Sequence, residues 1–204
     1  PITLSRADGD SWGSSIDTTL FADGPHTATA VITDGVGNQT VVTSTFNVDN
    51  TAPTVTVSAP APDLYLAGTI TITAVASDAG SGVGRITIEV NGVRIGACEG
   101  VTTCAVAFDT TTLPDGPFRI TATAMDKVGN DAVPAQISDI ADNSAPEKFI
   151  LAPLNGSIIN GFNGGEFDSA MPVTIDIRDP NFASVSCTIR SEERRVGKEC
   201  RLTC

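Results

Sequence analysis

The chemistry open to this 204-residue chain is carried almost wholly by oxygen. Asp and Glu number 24 against 12 Lys and Arg, and there is a single histidine, His26. Asp23, Asp49, Asn50, Asp78 and Asp126 form one set of carboxylates and amides that neighbouring loops can gather. Asp63, Asp109, Asp115, Asp142, Asn143 and Asp179 form a second. Oxygen-only clusters suit Ca2+, which takes roughly six to eight carboxylate, amide and carbonyl ligands. Asp23, Asp49, Asn50, Asp78, Asp126, Asp142 and Asn143 are the candidate ligands, and Ca2+ is the one cofactor the chain suggests. A competing reading gives each of them to its own turn, because Asp and Asn side chains bond nearby backbone and tolerate the left-handed region.

No catalytic residues are expected. Nothing in the chain supplies a nucleophile with a base, a carboxylate pair in a cleft or a catalytic metal triad. One histidine removes most general-base and zinc chemistry. The expected role of His26 is to fill a corner with its ring.

Cys98 and Cys104 flank the short stretch Glu99–Thr103. Two strands meeting across such a loop can bring Cα atoms to the roughly 5.5 Å that a disulfide needs. The spacing predicts a Cys98–Cys104 bond and with it an oxidising compartment, outside the cell or in a periplasm. The alternative is two thiols packed as small apolar side chains. Cys187 has no evident partner.

These residues must be positioned by strands. The chain holds 26 Thr, 18 Val and 17 Ile against 8 Leu, with 19 Gly and 12 Pro. That is the composition of short strands joined by tight turns, not of a helical bundle. A net charge of −12 argues against a nucleic-acid partner. No apolar run is long enough to span a membrane as a helix. Period-two alternation predicts strands at Thr54–Ser58, Thr69–Ser77, Arg85–Val90, Val93–Ala97, Cys104–Phe108, Phe118–Ala124 and about Ala132–Ile140. Asn91-Gly92 is a hairpin signal, since both residues accept positive φ. Seven strands buried on one face each make two packed antiparallel sheets.

The chain also repeats itself. Ile16–Pro25 aligns with Phe108–Pro117, Asp34–Asn38 with Asp126–Asn130, and Asp49-Asn50-Thr51-Ala52-Pro53 with Asp142-Asn143-Ser144-Ala145-Pro146. The unit is about 93 residues, the size of an immunoglobulin-like sandwich. Residues 1–50 then read as the C-terminal half of one unit, 51–143 as a complete unit, and 144–189 as the N-terminal half of a third. Phe162–Asp168 is an insertion in the third. Residues 190–204 fit no unit: Arg190–Cys200 back-translates to a sequence that resembles a common short-read sequencing adapter. They are expected to be an artefactual tail that includes Cys200 and Cys204. The start at Pro1 fits a fragment.

Ser81-Gly82-Val83, Val90-Asn91-Gly92, Asp109–Gly116, Ala124–Asn130 and Asp49–Pro53 together resemble the bacterial Ig-like repeats of large surface adhesins and secreted multidomain proteins. The resemblance implies an all-β chain of tandem immunoglobulin-like antiparallel β-sandwiches, one complete and two partial. It implies a non-catalytic spacer or stalk of an extracellular bacterial protein, an adhesin above all. The alternative is an accessory or ligand-binding module of a secreted hydrolase. Partners would be neighbouring Ig-like repeats of the same chain and an extracellular ligand, with no nucleic acid and no membrane insertion.

Overall fold

The computed structural model describes residues 5–8, 11–152, 162–163, 166–167, 174–189 and 200–203. The chain divides into two compact units, Pro1–Asn143 and Ser144–Cys204. Apart from two three-residue 3-10 turns, the regular structure among the described residues is β. No helix among them is long and apolar enough to cross a membrane.

The first unit opens with β1 (Ser5–Asp8) and β2 (Ser11–Gly13), an antiparallel pair. A 3-10 turn at Thr18–Leu20 leads into a long hairpin of β3 (Gly24–Thr33) and β4 (Gln39–Val48). Then comes a sandwich: β5 (Thr54–Ala59), β6 (Tyr65–Leu66), β7 (Thr69–Ser77), β8 (Val83–Val90), β9 (Val93–Glu99), β10 (Thr103–Asp109), a 3-10 turn at Thr110–Thr112, β11 (Gly116–Asp126) and β12 (Ala135–Ala141). One sheet has the order β10-β7-β5, the other β6-β12-β11-β8-β9.

Period-two patterning builds the core between these sheets. Ile72, Ala74 and Ala76 of β7 face Ile86, Ile88 and Val90 of β8 and Phe118, Ile120, Ala122 and Ala124 of β11, all buried. The intervening Thr residues point outward, so one face of each sheet excludes water while the other is solvated. Val55 and Val57 of β5 and Val106 and Phe108 of β10 close the sides. Asn91 and Gly92 take φ of 50° and 79°, as the tight β8–β9 hairpin requires. Gly84 lies against the backbone carbonyl of Asp126, so β8 and β11 approach there more closely than any side chain would permit.

The sandwich has eight strands where periodicity predicts seven. The addition is β6, in a segment expected to be a loop. After β5 the chain crosses to the other sheet and runs parallel to β12. Asp63 N–H donates to the Ser138 carbonyl, and the Leu64 and Leu66 carbonyls accept from Ile140 and Asp142. A two-residue strand is too short for alternation to register. Tyr65 of this strand is 42% exposed.

In the second unit, β13 (Glu147–Ala152) pairs with β16 (Thr174–Arg178), β14 (Phe162–Asn163) with β15 (Glu166–Phe167), and β17 (Ser186–Ile189) with β18 (Cys200–Thr203). The register of β13 on β16, Glu147 opposite Arg178 and Ala152 opposite Thr174, reproduces that of β5 on β7, Thr54 opposite Ser77 and Ala59 opposite Thr73. Even the irregularity before the last pair recurs. Eight more residues separate the two strands in the second unit, and the expected insertion Phe162–Asp168 lies within that stretch. The proposed tail falls mostly outside the described residues; its Cys200–Thr203 is a strand.

Candidate functional site

At the end of the sandwich where β5 begins, three loops converge: the segment between β4 and β5, the β7–β8 loop and the β11–β12 loop. Each carries an aspartate of the first set. The carboxylates of Asp49, Asp78 and Asp126 each place an oxygen within 4.8 Å of the other two. Among the described residues no other three His, Cys, Asp or Glu side chains meet in this way. Asp126 is buried and the other two are half-buried.

Each of the three also organises its own turn. Asp78 Oδ2 accepts the N–H groups of Gly80 at 3.1 Å and Gly82 at 2.6 Å. Asp126 Oδ1 accepts from Val128, Gly129 and Asn130, and its Oδ2 accepts from the Asn130 amide. Burial works to raise the Asp126 carboxyl, but these donors outweigh it and hold it below its ordinary value. Asp49 reaches farther: its carboxylate accepts from the N–H groups of Thr51 and Ser81. Gly80 has no room for a Cβ because the Asp49 carboxylate lies against it. The Lys127 ammonium covers Gly82, 3.1 Å from where a Cβ would stand.

Asp23 and Asn50 sit beside this group and do other work. Asp23 accepts from Asn50 N–H at 2.7 Å and from the Thr51 hydroxyl, which together lower its pKa, the hydroxyl contributing most. The Asn50 amide donates to the carbonyls of Thr18 at 2.9 Å and Phe21 at 3.3 Å. Asn130 donates to the Asp49 carbonyl. Residues 49–51 are thus bonded backward to the β3–β4 side and forward to the sandwich.

Asp109, Asp115, Asp142 and Asn143 of the second set lie at the opposite end of the sandwich. Asp115 accepts the Asn143 N–H at 2.8 Å. The Asn143 amide donates to the Thr110 carbonyl, and its Oδ1 accepts the Gly68 N–H. Asp109 accepts from Thr111 N–H and hydroxyl. Asp142 donates its backbone N–H to the Leu66 carbonyl, and among the described residues its carboxylate is in no group of three potential metal ligands. Asp179, in the second unit, accepts the Asn181 N–H just as Asp78 accepts that of Gly80.

Cys98 and Cys104 are bonded, with Cα atoms 5.6 Å apart. The bond ties β9 of one sheet to β10 of the other. His26 is half-buried: its ring meets Phe21 edge-on at 5.2 Å and Phe46 at 5.8 Å, and Nε2 lies 2.7 Å from the Ala22 carbonyl. That is a corner-filling ring. The side chains of Trp12 and Cys187 lie outside the described residues.

Asp139 was not singled out by the sequence. It is 1% exposed, its Oδ1 accepts the Leu64 N–H at 3.0 Å, and Oδ2 has no partner. Burial, with Asp63 nearby, raises its carboxyl above the ordinary value. The available signal was an acid at an inward position, between Ile137 and Ala141 on one face of β12.

Comparison with known proteins bears on the fold. Residues 53–129 match the family model described as a bacterial Ig domain, and residues 11–85 match that of a bacterial Ig-like domain of group 3. No curated protein matches the chain. Among solved structures, it resembles the endo-beta-1,4-mannanase from Thermotoga petrophila at 19% identity and a TM-score of 0.39, over 47% of this chain and 21% of that one. It resembles the fibronectin(III)-like modules of Clostridium thermocellum CbhA at 22% identity and a TM-score of 0.42, over 60% of this chain and 65% of that one.

Proposed function

Because the chain carries bacterial Ig-like domains, we propose that it is a non-catalytic spacer of an extracellular bacterial protein, a stalk segment of an adhesin. The observation that carries this reading is the joint at residues 49–51. Asp23 and Asn50 bind it to the β3–β4 side, and Asp49 and Asn130 bind it to the sandwich. A spacer needs such a joint, since a free linker would let consecutive modules fold back on one another. The Cys98–Cys104 bond supports an oxidising, extracellular setting. An acidic surface supports solubility without self-association through charge.

Ca2+ belongs to the same reading. Asp49, Asp78 and Asp126 offer carboxylate oxygens at the joint, where a hard divalent cation would add stiffness by bridging three loops.

The spacer reading is tested by backbone relaxation of the full chain. The β3–β4 hairpin and the sandwich should tumble as one body, and Asp23→Ala with Asn50→Ala should uncouple them. Independent tumbling in the parent protein would overturn the proposal, as would saturable binding of a glycan or protein ligand by the sandwich loops.

A further inference from the structure

The complete sandwich keeps its charges on different surfaces. Its aspartates lie in turns and at strand ends, apart from the buried Asp139. Its three arginines, Arg85, Arg94 and Arg119, stand on the outer face of the β6-β12-β11-β8-β9 sheet, together with its two glutamates, Glu89 and Glu99. Alternation puts them there. Ile86, Ile88 and Val90 of β8 and Phe118, Ile120 and Ala122 of β11 are buried, so the residues between them face outward. Arg85 bonds Glu99 at 2.6 Å, which uses one charge of each sign. Arg94 stands opposite Glu89 in the β8–β9 register. Arg119 is left in excess. Its backbone N–H donates to Asn91 Oδ1 at 2.9 Å, but its guanidinium has no hydrogen-bond or ion-pair partner among the described residues.

Arg119 opens onto a depression of about 610 Å3 in this face. That volume falls in the ordinary range of small-molecule sites. Glu89, Thr121, Gln136 and Ser138 line it with Arg119, and their side chains bond to no other group among the described residues. A guanidinium, a carboxylate, an amide and two hydroxyls therefore surround one space with their hydrogen-bonding capacity unspent. Pro117 also lines it, opposite Ile140, and Ile140 is opposite Tyr65. Paired residues share a face of the sheet. The chain's only tyrosine thus stands exposed beside the depression, two strand spacings or about 10 Å from Pro117.

We propose that this face binds an acidic saccharide, a chain of sugars that carry carboxylates. A guanidinium meets a carboxylate in a planar fork of two parallel bonds, and Arg119 has that fork free. Glu89, Thr121, Gln136 and Ser138 suit sugar hydroxyls, which both donate and accept. The Tyr65 ring and Pro117 offer apolar surface to the C–H face of an adjoining sugar. Charge selects among polymers. A net charge of −12 repels a dense polyanion such as nucleic acid. One unpaired guanidinium serves a sparse negative charge, within the roughly 10 Å that salt leaves unscreened. The site is built on strands of the complete sandwich, and the proposal does not depend on the spacer reading.

The test titrates the full chain with tetragalacturonate, in buffer free of divalent cations, and follows backbone amide shifts by NMR. The shifts should saturate in the millimolar range and centre on Glu89, Arg119, Gln136 and Ser138. The methyl ester of the same tetrasaccharide lacks the charge and should bind about tenfold more weakly or worse. Arg119→Gln should weaken tetragalacturonate binding by a similar factor, about tenfold. Because the Arg119 side chain is exposed and unbonded, that variant should keep the parent's thermal transition. Gln136→Ala, which leaves the charge in place, should weaken binding less than Arg119→Gln does. The absence of saturable shifts would overturn the proposal, as would shifts centred away from these four residues. Equal binding of the methyl ester, or an Arg119→Gln chain that binds like the parent, would overturn it too.

Discussion

Asn50 and Asn143 make the same bond in two places. Each side-chain amide donates to the carbonyl of the first residue of a 3-10 turn, Thr18 at 2.9 Å and Thr110 at 3.1 Å. Each backbone N–H is accepted by an aspartate just beyond that turn, Asp23 or Asp115. Asp17 and Asp109 cap the two turns alike, each through the N–H of the second turn residue.

The two asparagines should nevertheless respond differently to mutation. Asn143 also holds Gly68, in the complete sandwich. Asn143→Ala should cost about 1–2 kcal/mol, for lost bonds and stranded backbone groups, and lower the melting temperature. Asn50→Ala should leave that transition in place and speed proteolysis of residues 14–48. Equal effects on both readouts would contradict the division of labour.

Reduction of Cys98–Cys104 should lower stability by about 2 kcal/mol, the loop-closure entropy of a short ring. Denaturant titrations with and without reductant measure it. The loss should be absent in a Cys98→Ser, Cys104→Ser double variant. An unchanged midpoint on reduction of the parent would show that the bond adds nothing to stability.

Two buried carboxyls set opposite pH dependences. Burial opposes ionisation of Asp126, but its N–H donors hold it low in the folded state. Its contribution is therefore present above the unfolded value of about 4 and is lost as pH falls through the folded one. Asp139 is raised by burial and by Asp63, so its contribution is full below about 4 and is lost as pH rises through its folded value. Stability should peak in weak acid. Asp139→Asn should raise the melting temperature at neutral pH and flatten the decline above the peak. Superimposable parent and variant profiles from about pH 5 to 8 would refute this origin.

Calcium at millimolar concentration should raise the melting temperature of the full chain, and a chelator should reverse the rise. Gly80→Ala, which pushes the Asp49 carboxylate out of place, should weaken the response more than it weakens the apo protein. If Ca2+ leaves the transition where it was, the three aspartates serve their turns alone.

How much of this could be read beforehand depends on the range of the interaction. The limits of β7, Thr69–Ser77, come from alternation alone, because one face had to be dry. The Cys98–Cys104 bond was legible as a short loop between two strands. Asp49, Asp78 and Asp126 could be grouped from strand order, since three connecting segments had to share one end. What alternation could not supply was β6, whose two residues are held by partners more than 70 positions away.

Residue type and spacing determined the sheets, the core, the disulfide and the recurring Asp/Asn turns, because those rest on period-two burial and on side chains bonding their own neighbours. Only the tertiary structure decided that Asp139 is buried with one oxygen unpaired, that Asp23 and Asn50 serve a joint, and that Glu89, Arg119 and Gln136 line one depression. Those outcomes depend on which distant segment lies opposite, and no local pattern encodes that.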